Sequence, residues 1–284
     1  MRVIVTGGSG RAGQYVVREL AGAGHEVVNL DRVRAEGLPG QSIVLDLTDA
    51  GAVYDAVAQV RPEGVCHLAA NPSPSGFARN ATFQNNVLST YHIMQAAGDL
   101  GVRRLIYASS EMATGWLTPA ERVPAQLPFS EEERLPSPNA YALSKYMGEV
   151  IADSLALRYP DMSICSLRIN NVILPDHYEV LAERRRDPRR GMSNFWSYID
   201  ARDVATAFRA ALEGDTNGHE VFLIAAADTS SDRPIEELMR DYFAGYAAFA
   251  PGYGGFQSAF NCAKMQHTFG WQARRSWRHD AGNT

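Results

Sequence analysis

The first thirteen residues constrain the fold more than any other stretch. Val3, Ile4 and Val5 form an unbroken β-branched run, the pattern of a strand buried on both faces. Thr6-Gly7-Gly8-Ser9-Gly10-Arg11-Ala12-Gly13 follows at once, with Gly7, Gly10 and Gly13 three residues apart. A helical pattern then begins, with Val16, Val17 and Leu20 on one face. A strand, a glycine turn and a helix N-terminus in succession predict an anion site. Bare backbone N–H groups and the positive end of the helix dipole converge there on a phosphate. Glycine is required where a Cβ would block a pyrophosphate or hold helix and strand apart. An ordinary tight turn also uses glycine, but it needs neither of these flanks.

The alternation continues down the chain. Residues 26–31 and 42–47 read as strands, 50–60 as a helix and 65–70 as a strand. A long helix is predicted over 80–100, with Val87, Tyr91, Met94 and Ala97 facing the core. Then come a strand at 104–109, a proline-rich acidic loop over 117–139, a helix over 140–159 and a strand at 162–168. Asp200 opens another helix, with Asp203 three residues on in the manner of a capping pair, and 220–225 reads as a last strand. Strands and helices in this rhythm predict an α/β chain with a doubly wound parallel sheet. Residues 171–197 show no clear element, and 234–284 mix short helices. A cofactor-binding domain is therefore expected over 1–170, with 198–225 returning to it. A small substrate-binding lobe is expected from 171–197 and 226–284. The chain is expected to fray over 280–284.

Composition narrows the function classes. A chain of 284 residues, 45% apolar, fits one large domain with a smaller lobe. A net charge of −5 argues against a nucleic-acid partner, and no apolar stretch approaches bilayer length. Cys66, Cys165 and Cys262 are an odd, sparse set with neither a disulfide framework nor a metal spacing, and the seven histidines have no metal spacing either. No metal is expected. With no leader-like stretch ahead of the first strand, the expected location is the cytoplasm.

Two lysines stand among the 27 basic residues, Lys145 and Lys264, so a lysine in a meaningful place stands out. Lys145 closes Tyr141-Ala142-Leu143-Ser144-Lys145. Residues four apart on a helix face the same way. An ammonium beside a phenol favours the phenolate and is expected to bring its pKa down toward neutrality. That makes Tyr141 a general acid/base for a hydroxyl or carbonyl, though an exposed Tyr–Lys pair would read the same. Ser109-Ser110-Glu111 ends the strand at 104–109, where a serine hydroxyl can hold a reacting oxygen. Asp31 lies 18 residues past Gly13, where a carboxylate accepts from the ribose hydroxyls of a dinucleotide and repels a 2′-phosphate. NAD is the expected cofactor. Arg32 and Arg34 leave NADP as the lesser alternative.

Thr6-Gly7-x-x-Gly10-x-x-Gly13, His67-Leu68-Ala69-Ala70, Ser109-Ser110, Tyr141-x-x-x-Lys145 and Arg168-x-x-Asn171 together resemble the extended short-chain dehydrogenase/reductases, also called the NAD-dependent epimerase/dehydratase family. The resemblance spans residues 1 to about 225 and implies a Rossmann fold with a hydride-transfer site. It implies Tyr141 as acid/base, Lys145 holding the nicotinamide ribose, and Ser110 on the reacting oxygen, counted back from Gly115. It places Gly7, Gly10, Arg11, Ala12, Gly13, Asp31, Arg32, Asp46, Leu47, Leu68, Ala69, Ala70 and Asn86 around the dinucleotide. Asp46 would equally suit a turn, and Asn86 a solvated helix. The family also implies a homodimer paired through helices 80–100 and 140–159.

Arg168 to Tyr198 is short for a member that grips a nucleotide-linked sugar, and Asn171-Val172-Ile173-Leu174-Pro175 lacks the family's glycine. The compact lobe resembles instead the uronate dehydrogenases of the superfamily. Ser73, Glu111 and Asn171 are candidate substrate contacts, with Asn71 and Ser75 beside them. The arginines of 184–190 could attract an anion, but a solvated loop is the plainer reading. The expected function is NAD-dependent hydride transfer on a small sugar or sugar acid. The alternatives are an epimerase or dehydratase of a sugar nucleotide that keeps its NAD, and a non-catalytic cofactor sensor, which the presence of Tyr141 and Lys145 disfavours.

Overall fold

The computed structural model describes residues 1–116, 123–134, 136–137, 139–243 and 248–280. In chain order the strands and helices are β1 (Arg2–Thr6), α1 (Gly13–Gly22), β2 (Glu26–Asp31), β3 (Gln41–Val44), α2 (Ala50–Val60), β4 (Gly64–His67), α3 (Arg79–Asp99) and β5 (Arg104–Ser110). They continue with β6 (Gln126–Leu127), α4 (Ala140–Arg158), β7 (Ser163–Ile169), β8 (Val172–Ile173), α5 (Glu179–Arg186), β9 (Ile199–Asp200) and α6 (Ala201–Glu213). The last are β10 (His219–Ile224), α7 (Ile235–Tyr242), β11 (Ala248–Phe249), α8 (Ala263–Phe269) and α9 (Trp277–Asp280).

Seven parallel strands form the main sheet in the order β10-β7-β5-β4-β1-β2-β3. The order runs outward from β1 in both directions, so the chain reverses between β1 and β4, and ligands bind at such a switch point. Both faces are covered. Val3, Val5, Cys66, Ile106 and Leu167 pack toward α1 and α6, while Ile4, Val28, Val65, Leu105 and Ile164 pack toward α2, α3 and α4. The period-2 alternation of β1 therefore serves two apolar layers, which is why it reads as an unbroken apolar run. A third cluster around Phe129, Phe195, Trp196, Leu238 and Phe260 lies beyond the sheet.

Several expectations need correction. Residues 171–197 are structured: β8, α5 and 3₁₀ turns at Pro175–His177 and Pro188–Asn194 occupy them. Prolines 175 and 188 cut the segment into pieces too short for periodicity to register, and α5 buries only Leu181. On α3, Tyr91 is 48% exposed, and the inward face carries Asn86, Thr90, Ile93, Met94 and Ala97. Buried polar residues on that face mask its period. Asp203 does not cap α6. Its carboxylate accepts from the amides of Arg274 and Arg275 at 3.0 and 2.8 Å, while Asp200 caps the helix through the Arg202 amide at 2.7 Å. Strands β3 and β4 stop at Val44 and His67, so Asp46-Leu47 and Leu68-Ala69-Ala70 lie in the loops beyond their carboxyl ends. The predicted loop at 117–139 and the fraying tail fall partly outside the described residues, although Asp280 closes α9.

Candidate active site

The glycine turn is built by close approach. Gly7 adopts φ +71°, and a Cβ there would stand 2.6 Å from the Ala69 amide nitrogen. At Gly13 a Cβ would fall 2.1 Å from the Gly7 carbonyl oxygen. The Gly10 amide closes the turn on that carbonyl at 3.0 Å. Asn29, buried in β2, accepts from the Gly8 amide at 2.9 Å and donates to Ser9 Oγ at 3.0 Å. An asparagine inside Val27-Val28-Asn29-Leu30 was the available signal for this support, since a buried amide needs partners. No side chain caps α1; the Gln14 and Tyr15 amides bond the Gly10 and Ala12 carbonyls, both at 3.1 Å, and the positive end of the helix faces the glycine turn. Asp31, ending β2, accepts from the Ser9 amide at 3.0 Å.

From this turn a cleft of about 640 Å³ runs over the carboxyl ends of the strands. Its wall includes Gly7, Gly10, Arg11, Ala12, Gly13, Asp31, Arg32, Leu47, Leu68, Ala69 and Ala70 at one end. Ser73, Ser110, Glu111, Tyr141, Lys145 and Asn171 line the other. Two predicted cofactor residues lie off the wall. Asp46 accepts from the Thr48 amide and hydroxyl, both at 2.9 Å, which holds its carboxyl below the usual range. Asn86 is buried behind the wall. It accepts from the Asn71 amide at 2.7 Å and donates to Ser144 Oγ at 3.1 Å, tying the loop after β4 to α4. The cradle and the cleft-facing carboxylate together fit a dinucleotide.

The expected electrostatics of Tyr141 are reversed. Burial pushes its phenol up to about 12, helped by the neighbouring Glu111 and opposed by a hydrogen bond with the Ser110 hydroxyl. Lys145 does not offset this. Its Nζ donates to the Ala108 carbonyl at 2.7 Å and lies 5.9 Å from the Tyr141 ring centre. Burial brings the Lys145 ammonium down to about 7. Desolvation outweighs the expected charge effect, so the phenol here holds its proton.

Glu111 is the second perturbed acid. Burial pushes its carboxyl up to about 8, against the pull of Arg184, the Asn171 amide, Asn194 and Asn170. Its Oε2, Asn170 Nδ2 and Asn194 Oδ1 are buried without hydrogen-bond partners. Among the arginines of 184–190, Arg184 turns toward Glu111, whereas Arg185 pairs with Asp232 and Arg190 with Glu183, both at 2.6 Å. The run is thus mostly a solvated face with one inward member, which its spacing did not reveal.

The raised Glu111 carboxyl makes stability depend on pH. Between 4.5 and about 8 the folded protein keeps a proton that the unfolded chain releases, so stability falls as pH rises through that window. Lys145 acts oppositely between about 7 and 10.5, where the unfolded chain holds the extra proton. Glu111→Gln should remove the first slope. Relative to wild type, its stability should rise by on the order of 2 kcal/mol from about pH 5 to about pH 7, read by denaturant melts. Parallel curves at the two pH values would refute the assignment.

The description "NAD dependent epimerase/dehydratase family" matches residues 3–225. The chain is 30% identical over 239 residues to the NAD-dependent glucose-6-phosphate dehydrogenase of Haloferax volcanii, covering 80% of this chain and 86% of that one. It is 32% identical over 260 residues to the UDP-glucose 4-epimerase of Mycolicibacterium smegmatis, covering 83% and 80%. A short-chain dehydrogenase/reductase superfamily protein from Agrobacterium tumefaciens, solved with bound NAD, superposes with a TM-score of 0.74 at 22% identity, covering 99% and 95%. A glycine cradle, a cleft over the strand ends and a family match across most of the sequence agree: this chain belongs to the NAD-dependent epimerase/dehydratase family.

Proposed function

We propose that the protein is an NAD-dependent oxidoreductase that moves hydride between a nicotinamide and a hydroxyl or carbonyl of a small sugar or sugar acid. One observation carries this reading: Ser110, Tyr141 and Lys145 share the wall of the cleft that begins at the glycine turn and Asp31. Gly7, Gly10 and Gly13 would hold the pyrophosphate, and Asp31 the adenosine ribose hydroxyls. Bound NAD supplies the hydride acceptor. Tyr141 exchanges the proton of the reacting hydroxyl, Ser110 orients that oxygen, and Lys145 holds the nicotinamide ribose. Ser73, Glu111 and Asn171 face the substrate. NAD is favoured over NADP because Arg32 is engaged by Asn85 and stands 3.9 Å from Asp46. In this reading residues 1–170 and 198–225 bind the cofactor, while 171–197 and 226–284 shape the substrate side.

The dehydrogenase relative acts on a sugar phosphate without a nucleotide, as its name states, and the short 171–197 segment suits a substrate of that size. The epimerase relative supports the second reading, transient oxidation of a sugar nucleotide with NAD retained. Absorbance at the NADH band, with free sugars, sugar acids, sugar phosphates and nucleotide sugars, separates them. Accumulating NADH with a free sugar or sugar acid supports the first. Interconversion of a nucleotide sugar without accumulation supports the second.

A homodimer and a cytoplasmic location complete the proposal. Leu143, Val150 and Leu157 form an exposed stripe seven residues apart on α4, beside exposed Leu88 and Tyr91 on α3. An apolar stripe on two packed helices suits a second copy. Val150→Glu should convert a dimer to a monomer in sedimentation, whereas a wild-type monomer would refute the pairing. Three unpaired cysteines suit a reducing compartment, and no described helix is long and apolar enough to cross a membrane.

A further inference from the structure

A buried ionic cluster lies behind the catalytic end of the cleft. Tyr141, Lys145 and Glu149 follow one another at four-residue spacing along the buried face of α4. Between them they meet three consecutive residues at the end of β5, Ala108 to Ser110. Glu149 Oε1 accepts from Ser109 Oγ at 2.5 Å, Lys145 Nζ donates to the Ala108 carbonyl at 2.7 Å, and the Tyr141 phenol lies beside the Ser110 hydroxyl. Arg168, the register partner of Ser109 on β7, grips the same carboxylate with two bonds. Its Nε donates to Oε1 at 3.0 Å and its Nη2 to Oε2 at 2.9 Å, while Nη1 donates to the Glu131 carbonyl at 2.8 Å. Glu149 and Arg168 are both almost wholly buried.

An apolar seam would also dock α4 on the sheet, but it tolerates small slides. A bidentate guanidinium–carboxylate pair has directional bonds and permits one register. Stability alone does not account for the cluster, because apolar replacement of a complete buried pair is often neutral or stabilising. We infer that Ser109, Glu149 and Arg168 form a positioning clamp that fixes the register of α4 on β5 and so keeps the Tyr141 hydroxyl against Ser110. Glu149 is a positioning residue in this sense and touches no substrate. The inference rests on the proposed role of Tyr141 as acid/base.

The test separates register from stability. Glu149→Leu alone strands the Arg168 charge and should lower both Tm and kcat. Adding Arg168→Met should return Tm to near wild type, while kcat stays down by about tenfold to 10²-fold, the sensitivity of a reaction to slight misplacement. KM for NAD should hold, and the pH profile of kcat should shift. Turnover is read at the NADH band with the panel sugar that gives the fastest rate. If kcat recovers together with Tm in the double variant, the clamp is structural and the inference is overturned. Ser109→Ala covers the case in which the pair misfolds. It should keep Tm and lower kcat several-fold, and unchanged kcat there would also overturn the clamp. Tyr141→Phe run alongside tells the two failures apart. An inert Tyr141→Phe with fully active clamp variants sinks only the clamp, whereas an active Tyr141→Phe sinks the proposed function and the clamp with it.

Discussion

Tyr141→Phe is expected to lower kcat by about 10²–10⁴-fold, the contribution of a positioned proton-transfer group, while changing NAD affinity little. The substitution deletes one hydroxyl from a side chain that is almost entirely buried, so the ring keeps its packing and the cleft its shape. What disappears is the group that meets the Ser110 hydroxyl and exchanges the substrate proton. The phenol is held protonated by burial, with its pKa raised to about 12. A protonated phenol donates to a carbonyl oxygen, and the reverse transfer returns the proton from a hydroxyl to the phenolate. Steady-state rates with NAD binding measured separately check the prediction. A variant that loses NAD affinity in parallel with kcat would show that Tyr141 serves the cofactor rather than the chemistry.

Gly13→Ala is expected to abolish most dinucleotide binding, raising Kd by about 10²-fold or more, and to destabilise the fold by about 1–3 kcal/mol, the usual cost of overpacking. The added methyl would meet the Gly7 carbonyl oxygen at 2.1 Å and the Gly8 Cα at 2.8 Å. Both neighbours are backbone, so neither can rotate away. Relief comes only by lifting the start of α1 off the glycine turn, which withdraws the helix N-terminus from the phosphate position. Gly22 provides the control, since a Cβ there meets nothing within 4 Å at the far end of the same helix. Gly22→Ala should bind NAD normally and be as stable as wild type or slightly more so. Calorimetric titration with NAD and thermal melts read both. Equal behaviour of the two variants would remove the steric argument.

Much of the site was legible because its chemistry requires particular residue types at short spacing. The glycines of the first turn, the carboxylate ending β2 and the Tyr141–Lys145 pair each lie within one local element, and all of them reach the same cleft. Asp46 and Asn86 look similar in sequence, yet neither lines the cleft: one closes a turn with Thr48 and the other holds the Asn71 amide. Short polar side chains take whichever backbone partner lies nearest, and spacing does not reveal that partner. Asn29 was legible in principle as an amide inside an apolar strand. Arg184 was not, because it looks like any other member of an arginine run until α5 turns it toward Glu111.

The βαβ rhythm, the glycine turn and the helical pairing of Tyr141 with Lys145 can be read from the residues alone, because each depends on contacts a few residues apart. The proton states of the site emerge only once the chain has folded. Burial by distant segments raises Tyr141 and Glu111 and lowers Lys145. So does the clamp, which joins Ser109, Glu149 and Arg168 from three separate elements. Both have one origin. Desolvation and buried ion pairing depend on what surrounds a group in space, and most of those surroundings come from chain remote in sequence.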